Sequence, residues 1–249
     1  VDDCSADDTA AYVGGLQDER VIYIRQPVHG GSVSCLNAGF ARAQGEYLTW
    51  LSDDDFYDPE AIEKMARELE LFPEADFVYA HYWLVDIKGK IINAARVEDP
   101  ASLDRDNYVG FCFLYRRKVY EVIGAYHAEP FLAEEYEYWL RIREKFGMKK
   151  IPATLCYHRI HAGSITAGYG YEKIQDAVAR ARRPYIAFWK HHFLVGERHY
   201  AGRRRFPAGG HVLLSLLARP WHWRSWRLLA LVILPRQVAG WLRGGQPRN

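Results

Sequence analysis

The chain has 249 residues, 49% hydrophobic, 26% charged and 14% aromatic, a profile that excludes a disordered or fibrous chain and allows a sizeable buried core. Ten arginines and no acid follow Glu197, leaving 23 basic against 31 acidic residues up to that point, so an acidic body precedes a basic tail. Four scattered cysteines (Cys4, Cys35, Cys112 and Cys156) form no CxxC pair, which argues against a disulfide framework or zinc knuckle and for a reducing compartment.

In chain order, residues 21–24 read as a buried strand, and a turn at Gly30-Gly31 leads into a helix over 32–44. Residues 46–51 read as a strand running into Ser52-Asp53-Asp54-Asp55. Asp58 suits an N-cap and Pro59 the first helical position, and Ile62, Met65, Ala66, Leu69 and Phe72 then repeat at helical spacing. A strand at 77–80 and a hairpin turn at Lys88-Gly89-Lys90 follow. The alternation predicts an α/β fold with a mixed, mostly parallel sheet flanked by helices. Further on, the pattern predicts a helix over 134–146, a strand near 153–157 and a helix over 171–192. The character changes near residue 200, which divides a body, 1–200, from a tail, 201–249.

Chemistry concentrates at Asp53-Asp54-Asp55, three adjacent carboxylates at a strand end before a capped helix. Ligands of open α/β sheets bind at such ends, and crowded carboxylates are relieved by a hard cation such as Mg²⁺ or Mn²⁺, which brings a diphosphate with it. The bland reading is a solvated acidic turn. An EF-hand does not fit, because Tyr57 and Asp58 stand where that loop needs an oxygen ligand and a glycine.

Three motifs in order resemble the inverting glycosyltransferases of family 2, whose fold is GT-A: Val1-Asp2-Asp3-Cys4-Ser5, then Asn37-Ala38-Gly39 through Gly45-Glu46, then Asp54-Asp55 with Pro59. The resemblance covers about residues 1–165. It implies donor contacts from Asp2, Asp3, Ser5, Asn37, Asp53 and Asp54, with Asp54 alternatively touching the metal, and a metal held by Asp55. Ser52 replaces the family's first acid in the third motif. Phe131 through Arg141 is similar to the segment whose second acid is the catalytic base, which implies Glu135 as that base, with Glu134 and Glu137 as fallbacks; read alone, it is an acidic helix start. Trp139 and Leu140 are expected in the core. Tyr157 through Thr166 resembles the R-x-H-x-x-S segment, which brings Arg159 toward the diphosphate and His161 into the metal shell. Gly110 through Arg117 falls at the family's acceptor-side strand, with Arg116 and Arg117 also readable as a solvated turn.

The resemblance implies sugar transfer from a nucleotide-diphosphate donor to a glycan or lipid-linked acceptor, in surface polysaccharide or cell-wall synthesis. Family members carry a strand and helix ahead of V-D-D, so the chain reads as N-terminally truncated and is expected to bind donor poorly. A non-catalytic scaffold of the same fold is the alternative; a sugar nucleotidyltransferase lacks support, since no Gly-rich phosphate loop with a basic residue opens the chain. The tail holds Arg203-Arg204-Arg205, Trp221, Trp223, Trp226 and Trp241, with apolar runs at 211–218 and 228–234 too short to span a bilayer. Arginine with tryptophan and leucine is the composition of a helix in a membrane interface, which predicts a cytoplasmic enzyme peripheral on the inner membrane face; packing on the body is the alternative. No nucleic-acid module accompanies the charge.

Overall fold

The computed structural model describes residues 1–202 and 204–233, apart from the side chains of Thr166, Arg205 and Phe206; Arg203 and the tail beyond 233, with Trp241, lie outside the described residues. The chain divides into two compact units, Val1–Ala181 and Arg182–Asn249, so the division falls before the composition change near residue 200.

The first unit runs α1 (Thr9–Gly14), α2 (Gly31–Arg42), β1 (Tyr47–Leu48), β2 (Phe56–Tyr57), α3 (Ala61–Leu71), β3 (Phe77–Val85) and β4 (Ile91–Ala95). It continues through β5 (Phe113–Arg116), α4 (Arg117–Ile123), α5 (Glu134–Lys145), β6 (Met148–Arg159) and α6 (Tyr171–Arg182). The sheet order is β1-β5-β3-β6-β2, with β4 on β3. The sheet is mixed, as expected, but among the named strands only β3 and β6 pair in parallel. Short strands that fold back replace crossovers: β3 returns as β4 through Lys88-Gly89, where Gly89 takes φ +81° as such a turn requires. Residues 21–26 form no strand; they meet the first motif through one parallel bridge, Asp2 with Arg25.

Strand alternation sorts the core. Val78 and Ala80 face Ala61, Met65 and Leu69 of α3, with Cys112, Leu114, Ile151 and Leu155 completing that layer. Met65 and Leu69 are fully buried at the positions the spacing gives, but at the start of α3 the buried place is taken by Ala61 and Ile62 is exposed. Phe77 and Phe113 pack instead on Trp139 of α5, with ring centroids 5.1 and 4.7 Å away. Trp139 and Leu140 are fully buried, as expected of core residues. Where β6 runs beside β3, five steps along β6 from Ile151 to Cys156 match only two along β3 from Ala80 to Tyr82. Pro152, which has no N–H for a ladder, lies in this bulge.

The second unit contains α7 (Phe188–Ala201), α8 (Arg205–Ala218) and α9 (Trp223–Ile233). The single helix expected over 171–192 is instead two, α6 and α7, interrupted by a 3₁₀ turn at Arg183–Tyr185; Pro184 cannot donate the helical bond and clashes with the preceding turn. Phe193, Val212, Leu216, Leu228 and Leu229 form this unit's core. Helix α7 comes so near α8 that a Cβ at Gly196 would meet Val212 Cγ2 at 2.7 Å.

Candidate active site

The acidic loop between β1 and α3 folds onto the end of β6. The Asp55 side chain is 1% exposed. Its oxygens accept the backbone N–H of Arg159 at 2.8 Å and lie 2.9 and 3.1 Å from His158 Nδ1, a geometry in which that nitrogen carries the proton. Asp54 stands outward of it, its Oδ2 2.8 Å from His161 Nε2. His161 Nδ1 accepts from the Gly163 N–H at 3.2 Å, so Nε2 is the protonated nitrogen and donates to Asp54. Asp53 is exposed.

Arg159 ties this loop to the β3–β4 turn. Its Nε donates to the Asp54 carbonyl at 2.8 Å, and Nη1 donates to the Asp86 and Ile87 carbonyls at 3.2 and 2.9 Å. His158 is fixed on its other side by Phe111, stacked at 3.8 Å. Phe111 reaches it because Gly110 adopts φ +73°, where a Cβ would come within 2.3 Å of the Tyr82 ring. His158 and Phe111 received no role from the sequence. The usable signal was position alone, since both lie inside motif segments read for other residues.

Glu134, Glu135 and Glu137 all fall in the first turn of α5, where the helix dipole favours acids. Burial, with Glu134 alongside, pushes the Glu135 carboxyl up to about 7, opposed by its own backbone N–H and by His158. That last influence sets Glu135 in the same neighbourhood as Asp55 and His158. Burial also raises Glu134. Glu137 differs: Arg141 Nε holds it at 3.0 Å, and His127 Nδ1 lies 3.4 Å away.

The first motif has its own partners. Asp2 accepts the Ser5 N–H at 2.8 Å and the Tyr23 hydroxyl proton, with Arg25 Nε 3.4 Å away. Hydrogen bonds from Ser5 and Tyr23 pull its carboxyl down to about 2. Asp3 accepts the Gly30 and Gly31 N–H groups at 2.7 and 2.8 Å, at the start of α2, and these lower its pKa. Asn37 bridges to α4's far loop: its Nδ2 donates to the Tyr126 carbonyl at 3.0 Å, and its Oδ1 accepts the Tyr126 N–H at 2.8 Å. Both polar ends of Asn37 are thus engaged within the protein. Asn37→Ala is expected to lower stability by roughly 2 kcal/mol in a denaturant titration and to leave donor KM within about twofold; a selective rise in KM would make Asn37 a donor contact.

Arg116 and Arg117 are not a solvated turn. Arg116 donates to the Leu69 carbonyl, and Arg117 to the Ala43 carbonyl at 2.8 Å and to that of Gly45.

Among the described residues, no group of three or more His, Cys, Asp or Glu side chains gathers into a metal-holding set. Asp54 and His161 make a two-residue donor pair. Their 2.8 Å separation is near the roughly 3 Å edge of an octahedron with Mg²⁺–oxygen bond lengths. The pair would suit an ion that keeps water and diphosphate oxygens in its other positions once the His161 proton moves from Nε2 to Nδ1, which gives up the hydrogen bond from the Gly163 N–H. Asp55 is already satisfied by His158 and Arg159, so its carboxylate suits the positioning of the loop.

Residues 1–124 match the family model described as glycosyl transferase family 2. The chain is 27% identical over 206 residues to the Escherichia coli UDP-Glc:alpha-D-GlcNAc-diphosphoundecaprenol beta-1,3-glucosyltransferase WfaP, covering 80% of this chain and 78% of that one. It is 29% identical over 218 residues to the putative colanic acid biosynthesis glycosyl transferase WcaA of E. coli K12, covering 76% and 74%. To the uncharacterized glycosyltransferase YwdF of Bacillus subtilis (strain 168) it is 31% identical over 147 residues, 54% of this chain, and the match spans 53% of YwdF's length. Among solved structures, S. aureus TarS 1-349 superposes with a TM-score of 0.58 at 14% identity, over 99% of this chain and 82% of that one.

Proposed function

Because the chain belongs to glycosyltransferase family 2 and has the GT-A fold, with relatives in polysaccharide and lipid-linked glycan synthesis, we propose that it transfers a sugar from a nucleoside-diphosphate donor with inversion. The proposed acceptor is a hydroxyl of a lipid-linked glycan, by likeness to WfaP, with the enzyme at the inner membrane face through residues 201–249. The observation that supports the reading is the pairing of Asp54 with His161 next to the Asp55–His158 contact, with a carboxyl raised to about 7, Glu135, under the influence of the His158 charge.

In the proposed step the acceptor oxygen attacks the anomeric carbon opposite the leaving group. Glu135 takes the hydroxyl proton as the new C–O bond forms and the bond to the diphosphate breaks. One base and no enzyme nucleophile give a single displacement. Asp54 and His161 would hold a divalent cation, which when bound supplies neutralising charge to the departing diphosphate. Arg159 keeps the Asp54 backbone in place, and Asp2 and Asp3 order the first motif beside α2 for the nucleotide.

The test is turnover and thermal shift with UDP-, dTDP- and GDP-sugars, with Mn²⁺ or Mg²⁺ and with chelator. One donor class should raise the melting temperature and be consumed only with metal present. Asp54→Ala is expected to cut turnover by about 10² or more while leaving melting nearly unchanged. Retained anomeric configuration in the product, or full turnover in chelator, would overturn the mechanism.

A further inference from the structure

We propose that the tip joining α8 to α9, from Leu217 to Arg227, seats on the headgroup layer of an anionic lipid bilayer. The proposal deepens the lipid-linked-acceptor reading and rests on it for its biological setting, though not for its chemistry.

The two helices bury one face each. Val212, Ser215 and Leu216 of α8 meet Ser225, Leu228 and Leu229 of α9, with the two serine hydroxyls 3.0 Å apart. Amphipathic helices ordinarily turn charge outward from such a core. Here the outward residues at the tip are apolar: Leu217 is 80% exposed, Trp221 91%, Trp223 61% and Trp226 53%, with Leu213 a turn earlier at 50%. Isolated exposed hydrophobics are normal; four within one helix–turn–helix tip, three of them tryptophan, with Leu213 a turn before them, are a patch.

The tip is also ordered rather than splayed. Trp226 Nε1 donates to the Pro220 carbonyl at 2.6 Å, which lays its ring along the turn. Arg219 stands 4.6 Å over the Trp189 ring and Arg224 5.7 Å over that of Trp223. Arg219, Arg224 and Arg227 are exposed, and no carboxylate side chain follows Glu197 anywhere in the sequence.

This combination selects one occupant. A protein partner with an apolar pocket would use the tryptophans but not an all-cationic rim. A nucleic acid would use the arginines and leave Leu213 and Leu217 in water. The headgroup layer of an anionic bilayer satisfies both, since indoles settle at the acyl–headgroup boundary and guanidinium groups pair with lipid phosphates above it. No helix among the described residues is long and apolar enough to cross a membrane, which fits a surface seat. Past Ile233 the sequence adds Arg236, Trp241, Arg243 and Arg248.

The experiment is flotation of the full chain with vesicles of phosphatidylcholine alone or with about 30% phosphatidylglycerol, at low and high salt, alongside its oligomeric state. Binding should be at least about tenfold stronger on the anionic vesicles and weaken with salt. Trp221→Ala combined with Trp223→Ala should lose about tenfold or more of it, and Arg224→Glu a similar share. Donor-induced thermal shift and turnover on a water-soluble acceptor should stay within about twofold for the tryptophan variant, showing it folded. Equal binding to both vesicles, no binding, wild-type binding by the tryptophan variant, or a dimer that shields Trp221 would overturn the proposal. Failure of donor turnover with vesicle binding intact would sink the enzyme reading and leave the seat standing.

Discussion

Glu135→Gln should reduce turnover by about 10³ while leaving donor binding intact, the largest effect expected of any single substitution here. The amide keeps the shape of the carboxyl at the start of α5 but cannot take the acceptor proton. With the carboxyl held near 7 by burial and by Glu134, kcat/KM of the wild type should rise about tenfold per pH unit below neutrality and level off above it. The same shift has the opposite sign for stability. The folded state binds the Glu135 proton more tightly than the unfolded chain, whose carboxyl titrates near 4.5. Below that value both states are protonated and nothing is lost; as pH rises from about 4.5 through about 7 the unfolded chain ionises first, which removes up to about 3 kcal/mol for this partly exposed group. Glu135→Gln should therefore melt higher than wild type at pH 8 and equal to it at pH 4. Activity lost with no change in the pH dependence of melting would locate the base elsewhere, with Glu134 next to be tested.

Asp55→Ala should produce the second-largest effect, on stability and activity together. The methyl group leaves the Arg159 N–H without its acceptor and His158 without its anchor, both at a nearly closed site, a loss of roughly 2–4 kcal/mol. For a body of this size the melting temperature should fall by about 10 °C. Turnover should fall by at least about 10², because Asp54 and His161 lose their shared frame. Asp55→Asn, which keeps an acceptor for Arg159, should recover most of the stability. The contrast with Asp54→Ala separates the adjacent acids: one substitution should disturb the fold and the chemistry, the other the chemistry alone. If Asp55→Ala instead melted like wild type and weakened only the response to metal, Asp55 would be a ligand, as the family resemblance implies.

Legibility in the sequence tracked how local each determinant was. Helix α3 could be read from its spacing, and α5 from its acidic start and core tryptophan, because both depend on neighbours within a few turns. The parallel or antiparallel sense of the strands could not be read, since Phe77 pairs both with Tyr115 and with Met148, far along the chain. Pro184 was a local stop signal that helical periodicity on both sides concealed. At the candidate site, Asp54, Asp55 and His161 were legible as residue types in motifs. What the sequence did not reveal was which carboxylate faces inward. That depends on a bond across 104 residues to the backbone of Arg159 and on a ring held by Phe111.

The bulge beside Ala80 has a consequence for how this protein can change its length. The bulge itself absorbs extra residues, but beyond it, from Cys156 opposite Tyr82 onward, successive residues of β6 alternate between the two faces of the sheet, so His158 meets Asp55 only while the count from Cys156 keeps its parity. Loss or gain of one residue there would present the neighbouring side chain to the acidic loop and turn the imidazole to the opposite side. Two at a time would preserve the alternation, so homologues that vary in this stretch should differ by even steps.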